Sequence, residues 1–191
     1  LKETFDAIVE DPTFGEDSWE KGESQMMKET AMLALRKAKL QEKDVRYLFA
    51  GDVLGQLIAT TFGLMDLNIP LFGLYGACST MGEGLSLASM TVHAGYADTV
   101  LAIASSHFGG AEKQFRFPLE YGNQRPMSST WTVTGCGAFV LSKEYGEVMI
   151  TGITTGRVVD YGVKDSLNMG ACMAPAAADV IYQNLKDFNR Q

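Results

Sequence analysis

Residues 69–94 are predicted to form a strand, a sharp turn and a helix of small residues, and this order constrains the fold more than any other feature. Residues 69–75 are apolar, and Pro70 near their start favours a position at the edge of a sheet. The turn at 76–80 leads into a helix to about residue 94, whose many Gly, Ala and Ser residues allow close packing inside a layered core. This succession is typical of an α/β protein.

Apolar and periodic segments elsewhere complete an α/β pattern. Helices are predicted from Ser24, which can cap the first of them, over about 53–65 and over 176–188. Further strands are predicted at 46–50, 99–105, 132–142 and 148–159, the last two as a hairpin. The pattern predicts a mainly parallel sheet with one antiparallel strand, covered by helices on its faces.

Composition and charge exclude several classes of function. The 191 residues are enough to bury a sizeable core and could form one domain. The net charge of −7 argues against a nucleic-acid partner, so any anionic ligand must be held by a local cluster of Arg or Lys. The three cysteines are far apart and predict neither a disulfide framework nor a zinc site; they fit a reducing compartment.

The sequence contains no stretch that is long and apolar enough to span a bilayer. Its N-terminus has no secretory or transit signal. The chain opens at Leu1 rather than at a Met and runs directly into an acidic segment, so we expect it to be part of a longer chain.

Cys78 lies in the turn between the predicted edge strand and the small-residue helix. That position would surround its sulfur with free backbone N–H groups and the positive end of a helix dipole, which favour a thiolate and stabilise an oxyanion. The alternative is a small buried residue, as most free cysteines are, and geometry alone leaves the two interpretations level. Cys136 and Cys172 are interpreted as packing residues.

The two histidines are too isolated in the sequence to form a metal pair. His93 is predicted to lie late in a helix, in solvent. His107 follows a buried strand next to Ser105 and Ser106, and parallel sheets place their sites at the carboxyl ends of strands. A core or loop histidine is nevertheless the more common case. A dinucleotide fingerprint, a P-loop and a serine-hydrolase elbow are all missing, so no cofactor is predicted.

Residues 113–125 combine basic and aromatic side chains in an otherwise acidic chain. They include Lys113, Phe115, Arg116, Phe117, Tyr121 and Arg125. A guanidinium grips a carboxylate with two hydrogen bonds, and an aromatic ring can stack on a planar ligand. The sequence alone favours the alternative, a solvated loop whose charges are balanced by Glu112 and Glu120.

Two motifs resemble the thiolase and ketoacyl-synthase superfamily. They are the turn Gly76-Ala77-Cys78-Ser79 and the strand Thr134-Gly135-Cys136-Gly137-Ala138-Phe139-Val140-Leu141. Thr134 replaces the Asp of the superfamily strand, and Cys136 replaces an Ala. The resemblance implies that residues 1–191 form the N-terminal half of a thiolase-like fold, with a mixed, mostly parallel sheet of the five-stranded type. The superfamily's central first strand would be absent ahead of Leu1. Two rows of backbone groups would then be unpaired, at about 1–3 kcal/mol for each buried group.

A larger set of motifs, spread over residues 51–179, resembles the stage V sporulation protein AD family of endospore-forming bacteria. The set comprises Gly51-Asp52, Gly76-Ala77-Cys78-Ser79-Thr80, Ser105-Ser106-His107, Gln114-Phe115-Arg116-Phe117-Pro118, Glu120-Tyr121-Gly122, Thr132-Val133-Thr134-Gly135 and Met173-Ala174-Pro175-Ala176-Ala177-Ala178-Asp179. The set is specific, although no single motif in it would be.

This second resemblance implies a non-enzymatic member of a catalytic superfamily. It implies binding of dipicolinic acid, alone or with calcium, and a part in dipicolinate uptake during sporulation and release during germination. It also implies a location in the spore, peripheral to the inner membrane, and membrane-embedded partners from the same operon. The superfamily resemblance, together with the predicted edge strand, implies a homodimer through residues 69–75.

The predicted ligand-binding residues lie around Cys78, at the end of the buried strand and in the basic segment. They are Ala77, Cys78, Ser79, Ser106, His107, Phe115, Arg116, Tyr121 and Arg125. The alternative function is that of a Cys-dependent acyltransferase or condensing enzyme. In the superfamily the second half supplies the His and Asn, or second His, that activate the cysteine, and the two histidines of this chain do not match those motifs. A scaffold without a ligand is a third possibility.

Overall fold

The computed structural model describes residues 2–109, 133–144, 146–165 and 168–190. Four α-helices lie within these ranges: α1 (Trp19–Lys37), α2 (Ile58–Leu64), α3 (Thr80–His93) and α4 (Met169–Asp187). Four strands lie there as well: β1 (Tyr47–Asp52), β2 (Leu71–Gly73), β3 (Thr99–Ser106) and β4 (Gly135–Ser142). The described residues up to 144 form one compact unit, and the described residues from 146 onward form a second.

The four strands form one mixed sheet in the order β2-β1-β3-β4. Strand β1 is parallel to both of its neighbours, β2 and β3. Strand β4 is antiparallel to β3 along the whole of both strands. The structure therefore confirms a mainly parallel sheet with one antiparallel strand, and it places β2 at an edge, as Pro70 predicts.

Strands β1 and β3 pair directly, from Tyr47 with Val100 to Asp52 with Ser105. The two unpaired rows of backbone groups that the superfamily resemblance led us to expect are not found between these two strands. Those backbone groups bond to each other instead, because leaving them unpaired in the interior costs about 1–3 kcal/mol each.

Apolar side chains cover both faces of the sheet, and the alternation along each strand decides which face a residue joins. The face under α1 and α2 is built from Met27, Ala31, Leu35, Leu48, Ala50, Leu64, Leu101 and Ile103. The face under α3 is built from Phe49, Leu74, Ala88, Val92, Val100 and Ala102. These two layers hold α1 and α2 on one face of the sheet and α3 on the other.

The first two helices begin at residues that the sequence pattern did not predict. Helix α1 starts at Trp19 rather than near Ser24, because the Ser18 hydroxyl accepts a hydrogen bond from the Lys21 N–H at 3.3 Å and caps it. Helix α2 starts at Ile58 rather than at 53, because Gln56 and Leu57 have left-handed φ values of 51° and 69°. Residues 53–57 therefore form a loop.

Helix α4 also starts earlier than the predicted residue 176. Asn168 caps it by accepting a hydrogen bond from the Ala171 N–H at 3.1 Å. Pro175, the residue before the predicted start, lies inside the helix. None of the helices in the described ranges has the length and apolar character needed to cross a membrane.

The predicted strand at 148–159 is wrong, because this segment lies along α4 and joins no sheet in the described part of the chain. The Thr154 hydroxyl donates to Asp187 at 3.0 Å and accepts from Asn184 at 3.1 Å. Gly152 lies under the Phe188 ring. The alternation of apolar and polar residues in this segment thus reflects contact with one helix of the second unit, and not a place in a sheet.

Candidate functional site

Cys78 lies in the turn of residues 76–80, which connects β2 to α3 at the carboxyl edge of the sheet. Residues Ala77–Ser79 form a single 3-10 turn, and α3 follows at once from Thr80. Ala77 has a left-handed φ of 48°, a conformation that residues with a Cβ rarely adopt. Such backbone strain is found mostly where the surrounding structure holds a functional turn in place. The Cys78 side chain is exposed.

Hydrogen bonds hold this Cys78 turn in shape. The Gly76 carbonyl accepts from the Ser79 N–H at 3.0 Å and from the Ser79 hydroxyl at 2.8 Å. The Gly76 N–H donates to the buried Thr80 hydroxyl at 3.3 Å. Gly76 has no room for a side chain, since a Cβ would lie 2.5 Å from Ser79 Oγ and 2.9 Å from Glu83 Oε2. The turn is rigid, and it presents Cys78 and Ser79 to solvent.

The turn leads directly into the N-terminus of α3, a helix of 14 residues. Ser79 is the N-cap residue, but its hydroxyl bonds back to Gly76 and does not cap the helix. The N–H groups of the first helical turn have no partner within a helix, and the helix dipole adds positive potential there. An anionic group next to Cys78 would meet these N–H groups.

Helix α3 lies close to the sheet because small residues face it. A Cβ on Gly84 would lie 3.6 Å from the Phe49 carbonyl oxygen, and one on Gly137 would lie 3.7 Å from Met81 Cε. Ser106 is at the carboxyl end of β3, on the face that Ala102 presents to α3. Its hydroxyl is buried and has no hydrogen-bond partner among the described residues. The structure thus brings Ser106 to the same face and edge of the sheet as the Cys78 turn.

His107, a predicted ligand-binding residue, is buried and bonded to backbone on both ring nitrogens. Nε2 lies 2.7 Å from the Pro12 carbonyl oxygen, and Nδ1 lies 3.0 Å from the Gly109 nitrogen. A carbonyl only accepts and an N–H only donates, so Nε2 carries the proton and Nδ1 accepts. The ring also contacts Trp19, with centroids 5.5 Å apart. His107 therefore anchors residues near the start of α1, which agrees with the core interpretation of this histidine.

The remaining histidine and cysteines are placed as follows. His93 is exposed in the last turn of α3, as predicted. Cys136 packs against the core under α1 and α2, and burial is the main cause that raises the pKa of its thiol to about 12. Cys172 is exposed in the first turns of α4, so its predicted packing role is wrong. Among the described residues, no three His, Cys, Asp or Glu side chains lie together as a metal ion would require.

The sequence analysis missed Glu23, a buried carboxyl that accepts a hydrogen bond from the Ser105 hydroxyl at 2.8 Å. A signal for it exists, because Glu23, Met27, Ala31 and Leu35 follow one another at intervals of four residues and share the buried side of α1. The predicted start at Ser24 left Glu23 outside the helix. The predicted ligand residues Phe115, Arg116, Tyr121 and Arg125 lie outside the described residues and stay a prediction, as does Lys113.

Solved structures with a similar architecture are condensing enzymes. AbyA1, a tetronic acid condensing enzyme, aligns with 88% of this chain and 57% of its own at a TM-score of 0.62 and 18% identity. A 3-oxoacyl-(acyl-carrier-protein) synthase III aligns with 88% of this chain and 60% of its own at a TM-score of 0.60 and 16% identity. At such identities the likeness establishes the fold, and the chain has the thiolase-like α/β fold of the ketosynthases.

The sequence gives a narrower assignment. Residues 1–191 match the family model of stage V sporulation protein AD (SpoVAD). Stage V sporulation protein AD of Bacillus subtilis (strain 168) is 44% identical over 190 residues, which cover all of this chain and 56% of the relative. The chain belongs to the stage V sporulation protein AD family, and it spans little more than half the length of that relative.

Proposed function

We propose that this chain provides part of a dipicolinic-acid site, around the Cys78 turn, in a spore protein that takes part in dipicolinate uptake during sporulation and release during germination. The observation that supports this proposal best is the Cys78 turn itself. In a chain of a sporulation family, a rigid turn exposes a thiol at the N-terminus of α3, and the unpartnered Ser106 hydroxyl lies at the same edge of the sheet.

The chemistry of the ligand fits these groups. Dipicolinate is a planar pyridine with two carboxylates, so it needs hydrogen-bond donors, cations and a flat apolar surface. The N–H groups of the first turn of α3 and the Ser106 hydroxyl are donors. Arg116 and Arg125 would supply the cations that a chain of net charge −7 needs locally, and Phe115 and Tyr121 would supply rings.

Binding is favoured over catalysis because neither histidine of the chain is placed to take a proton from Cys78. His107 has both ring nitrogens bonded to backbone, and His93 is at the opposite end of α3. A helix of 14 residues is about 20 Å long. We therefore propose that Cys78 forms part of the pocket wall and does not act as a turnover nucleophile.

Replacing Arg116 with alanine is expected to weaken dipicolinate binding at least about tenfold. A charge-assisted bidentate contact is worth about 1.5–3 kcal/mol, and added salt should weaken the wild-type complex for the same electrostatic reason. Isothermal titration calorimetry on the full-length protein measures both effects. Arg46→Ala is the matched control, since Arg46 lies beside Tyr47 at the amino end of β1. Wild-type affinity in both Arg116→Ala and Arg125→Ala would place the anchor elsewhere.

Cys78→Ala is expected to weaken dipicolinate binding by about twofold to tenfold, the range for one lost polar contact. Cys78→Ser should have a smaller effect, because the hydroxyl keeps the size and the hydrogen-bonding character of the side chain. The same calorimetry compares them with Cys172→Ala, which removes an exposed thiol on α4. Unchanged affinity in Cys78→Ala would contradict a role in the pocket wall.

A second candidate function is acyl transfer through a thioester on Cys78. The left-handed Ala77 before an exposed cysteine favours it, since nucleophiles are often held on strained turns between a strand and a helix. The fold neighbours named above are also condensing enzymes. Incubation of the full-length protein with acyl-CoA, followed by mass spectrometry of the Cys78 peptide, separates the two functions. An acyl thioester that forms on Cys78, is then transferred or hydrolysed, and is absent in Cys78→Ala would overturn the binding-only proposal.

The proposal includes an assembly. We infer a homodimer that is peripheral to the inner spore membrane and works with membrane proteins of the same operon, and that takes dipicolinate alone or with calcium. The edge position of β2 supports the dimer.

A further inference from the structure

Three side chains form a row across the carboxyl ends of β1 and β3 and the amino end of β4, on the face covered by α1. Ser105 on β3 is paired in register with Asp52 on β1 and with Cys136 on β4. Glu23 of α1 lies over this row, only 5% exposed, and accepts the hydrogen bond of the Ser105 hydroxyl. We call Glu23, Asp52, Ser105 and Cys136 the Glu23 cluster.

The two carboxyl groups of the Glu23 cluster differ in how they are satisfied. Asp52 accepts hydrogen bonds from the Leu57 N–H at 3.2 Å, the Thr60 N–H at 3.1 Å and the Thr60 hydroxyl at 2.7 Å. Within the described ranges, Glu23 accepts a hydrogen bond from the Ser105 hydroxyl alone. In the part of the chain that the structure describes, no Lys or Arg forms an ion pair with either carboxyl group. With respect to the described residues, an ionised Glu23 would therefore be a buried charge without a counterion.

Burial raises the pKa of Glu23 to about 7, and the neighbouring charges of Asp52 and Glu20 act in the same direction, while the Ser105 hydrogen bond opposes the rise. Among the described residues, the α1 lysines on either side of Glu23 in the sequence form ion pairs with other carboxylates, Lys21 with Asp17 and Lys28 with Asp66. The half-buried Cys136 thiol is neutral near pH 7, because its pKa is raised to about 12. His107, two residues beyond Ser105, has both nitrogens bonded to backbone groups.

We propose that Glu23 is a pH-sensitive clasp that holds the start of α1 on the carboxyl ends of β1 and β3 when it is protonated and loosens it when it is ionised. The neutral carboxyl keeps the Ser105 hydrogen bond without the cost of a buried charge. The ionised carboxyl is repelled by Asp52 and gains free energy by reaching water. The clasp therefore weakens as the pH rises toward and past neutrality.

Two further contacts carry the effect of the clasp to the edge of the sheet where Cys78 lies. The start of α1 places Trp19 against His107 and Phe108, with ring centroids 5.5 and 5.1 Å apart. Asp52 holds the loop at 53–57, whose Leu57 fills the space beside Gly73 at the end of β2, before the Cys78 turn. Loosening α1 would leave both contacts with less support.

Hydrogen exchange of the α1 amides tests the clasp in the full-length protein. The pKa of Glu23 is about 7 in the closed form, and it returns to its ordinary 4.5 once α1 opens and the carboxyl reaches water. Because the open form loses its proton at the lower pH, α1 loses protection as the pH rises between these two values and a little above. Corrected for intrinsic rates, wild-type protection should fall about tenfold from pH 6 to pH 8. Glu23→Gln, which cannot ionise, should be nearly flat. Glu29→Gln removes an exposed charge from the same helix and should behave as wild type.

Direct titration of the Glu23 carboxyl carbon by NMR keeps the proposal testable even if Glu23→Gln folds poorly. A midpoint near neutrality in wild type, shifted further upward in Ser105→Ala because that hydrogen bond favours the ionised form, supports the clasp. A midpoint at the ordinary acidic value overturns it. Equal pH dependence of α1 protection in wild type and Glu23→Gln overturns it as well.

Discussion

Gly51→Ala is expected to cost this chain at least about 3 kcal/mol of folding free energy, a large part of the 5–15 kcal/mol that holds a typical domain together. Gly51 lies inside β1, beneath the start of α3. A Cβ there would overlap the Leu74 carbonyl oxygen and lie 2.6 Å from Thr80 Cγ2. Neither neighbour can move freely, because the Leu74 N–H is bonded to the Ala50 carbonyl at 2.8 Å and Thr80 is buried.

Gly82→Ala is the matched control for this substitution. Gly82 lies within α3, and a Cβ there would have nothing within 4 Å. Since alanine is the better helix former, Gly82→Ala should stabilise the protein by about 0.5–1 kcal/mol. Urea denaturation of the two variants measures both changes. A Gly51→Ala protein as stable as wild type would mean that β1 and the Leu74 backbone are not packed as described.

Local patterns in the sequence were sufficient to predict three of the four strands and the helix that follows Cys78. β1, β3, β4 and α3 were predicted close to their observed bounds, because each is an apolar or small-residue run that ends at a turn. The prediction of where α2 starts was wrong, because that start depends on the left-handed conformation of Gln56 and Leu57. It also depends on the Asp52 carboxylate, which accepts a hydrogen bond from the Leu57 N–H. The prediction of a strand at 148–159 was wrong, because alternation of apolar and polar residues does not tell whether an extended segment faces a sheet or a helix.

In the candidate site, too, the features formed by consecutive residues could be predicted and those formed by residues far apart in the sequence could not. The Cys78 turn could be predicted, since its strand, turn and helix are consecutive in the sequence. The pairing of Glu23 with Ser105 joins residues 82 apart, and that of His107 with Pro12 joins residues 95 apart. The periodicity of apolar residues in a single sequence does not specify which distant residues form such pairs. The buried, unpartnered hydroxyl of Ser106 likewise follows only from the packing of α3 on the sheet.

Phe72→Asp is expected to convert the proposed homodimer into a monomer. Strand β2 pairs with β1 on one side only, and no strand of the described residues covers its other side. Phe72 is 51% exposed at this edge, stacked on Phe49 with ring centroids 5.1 Å apart. Exposed apolar edges are commonly paired with a second chain. The neighbouring Leu74 is less suitable for the test, because it is buried and an Asp there would damage the core.

A two-fold symmetric pair of β2 strands contains residue 72 of both protomers. Phe72→Asp would therefore place two desolvated carboxylates in the contact, and both would oppose association. We expect self-association to weaken by at least about 3 kcal/mol, roughly a hundredfold, which sedimentation of the full-length protein at micromolar concentration would detect. Phe62→Asp makes the same change at an exposed position on α2 and should stay dimeric. Circular dichroism should confirm that both variants remain folded. A wild type that is already monomeric, or a Phe72→Asp protein that is still dimeric, excludes β2 as the dimer contact, and the exposed aromatic edge would then be free to bind a different chain.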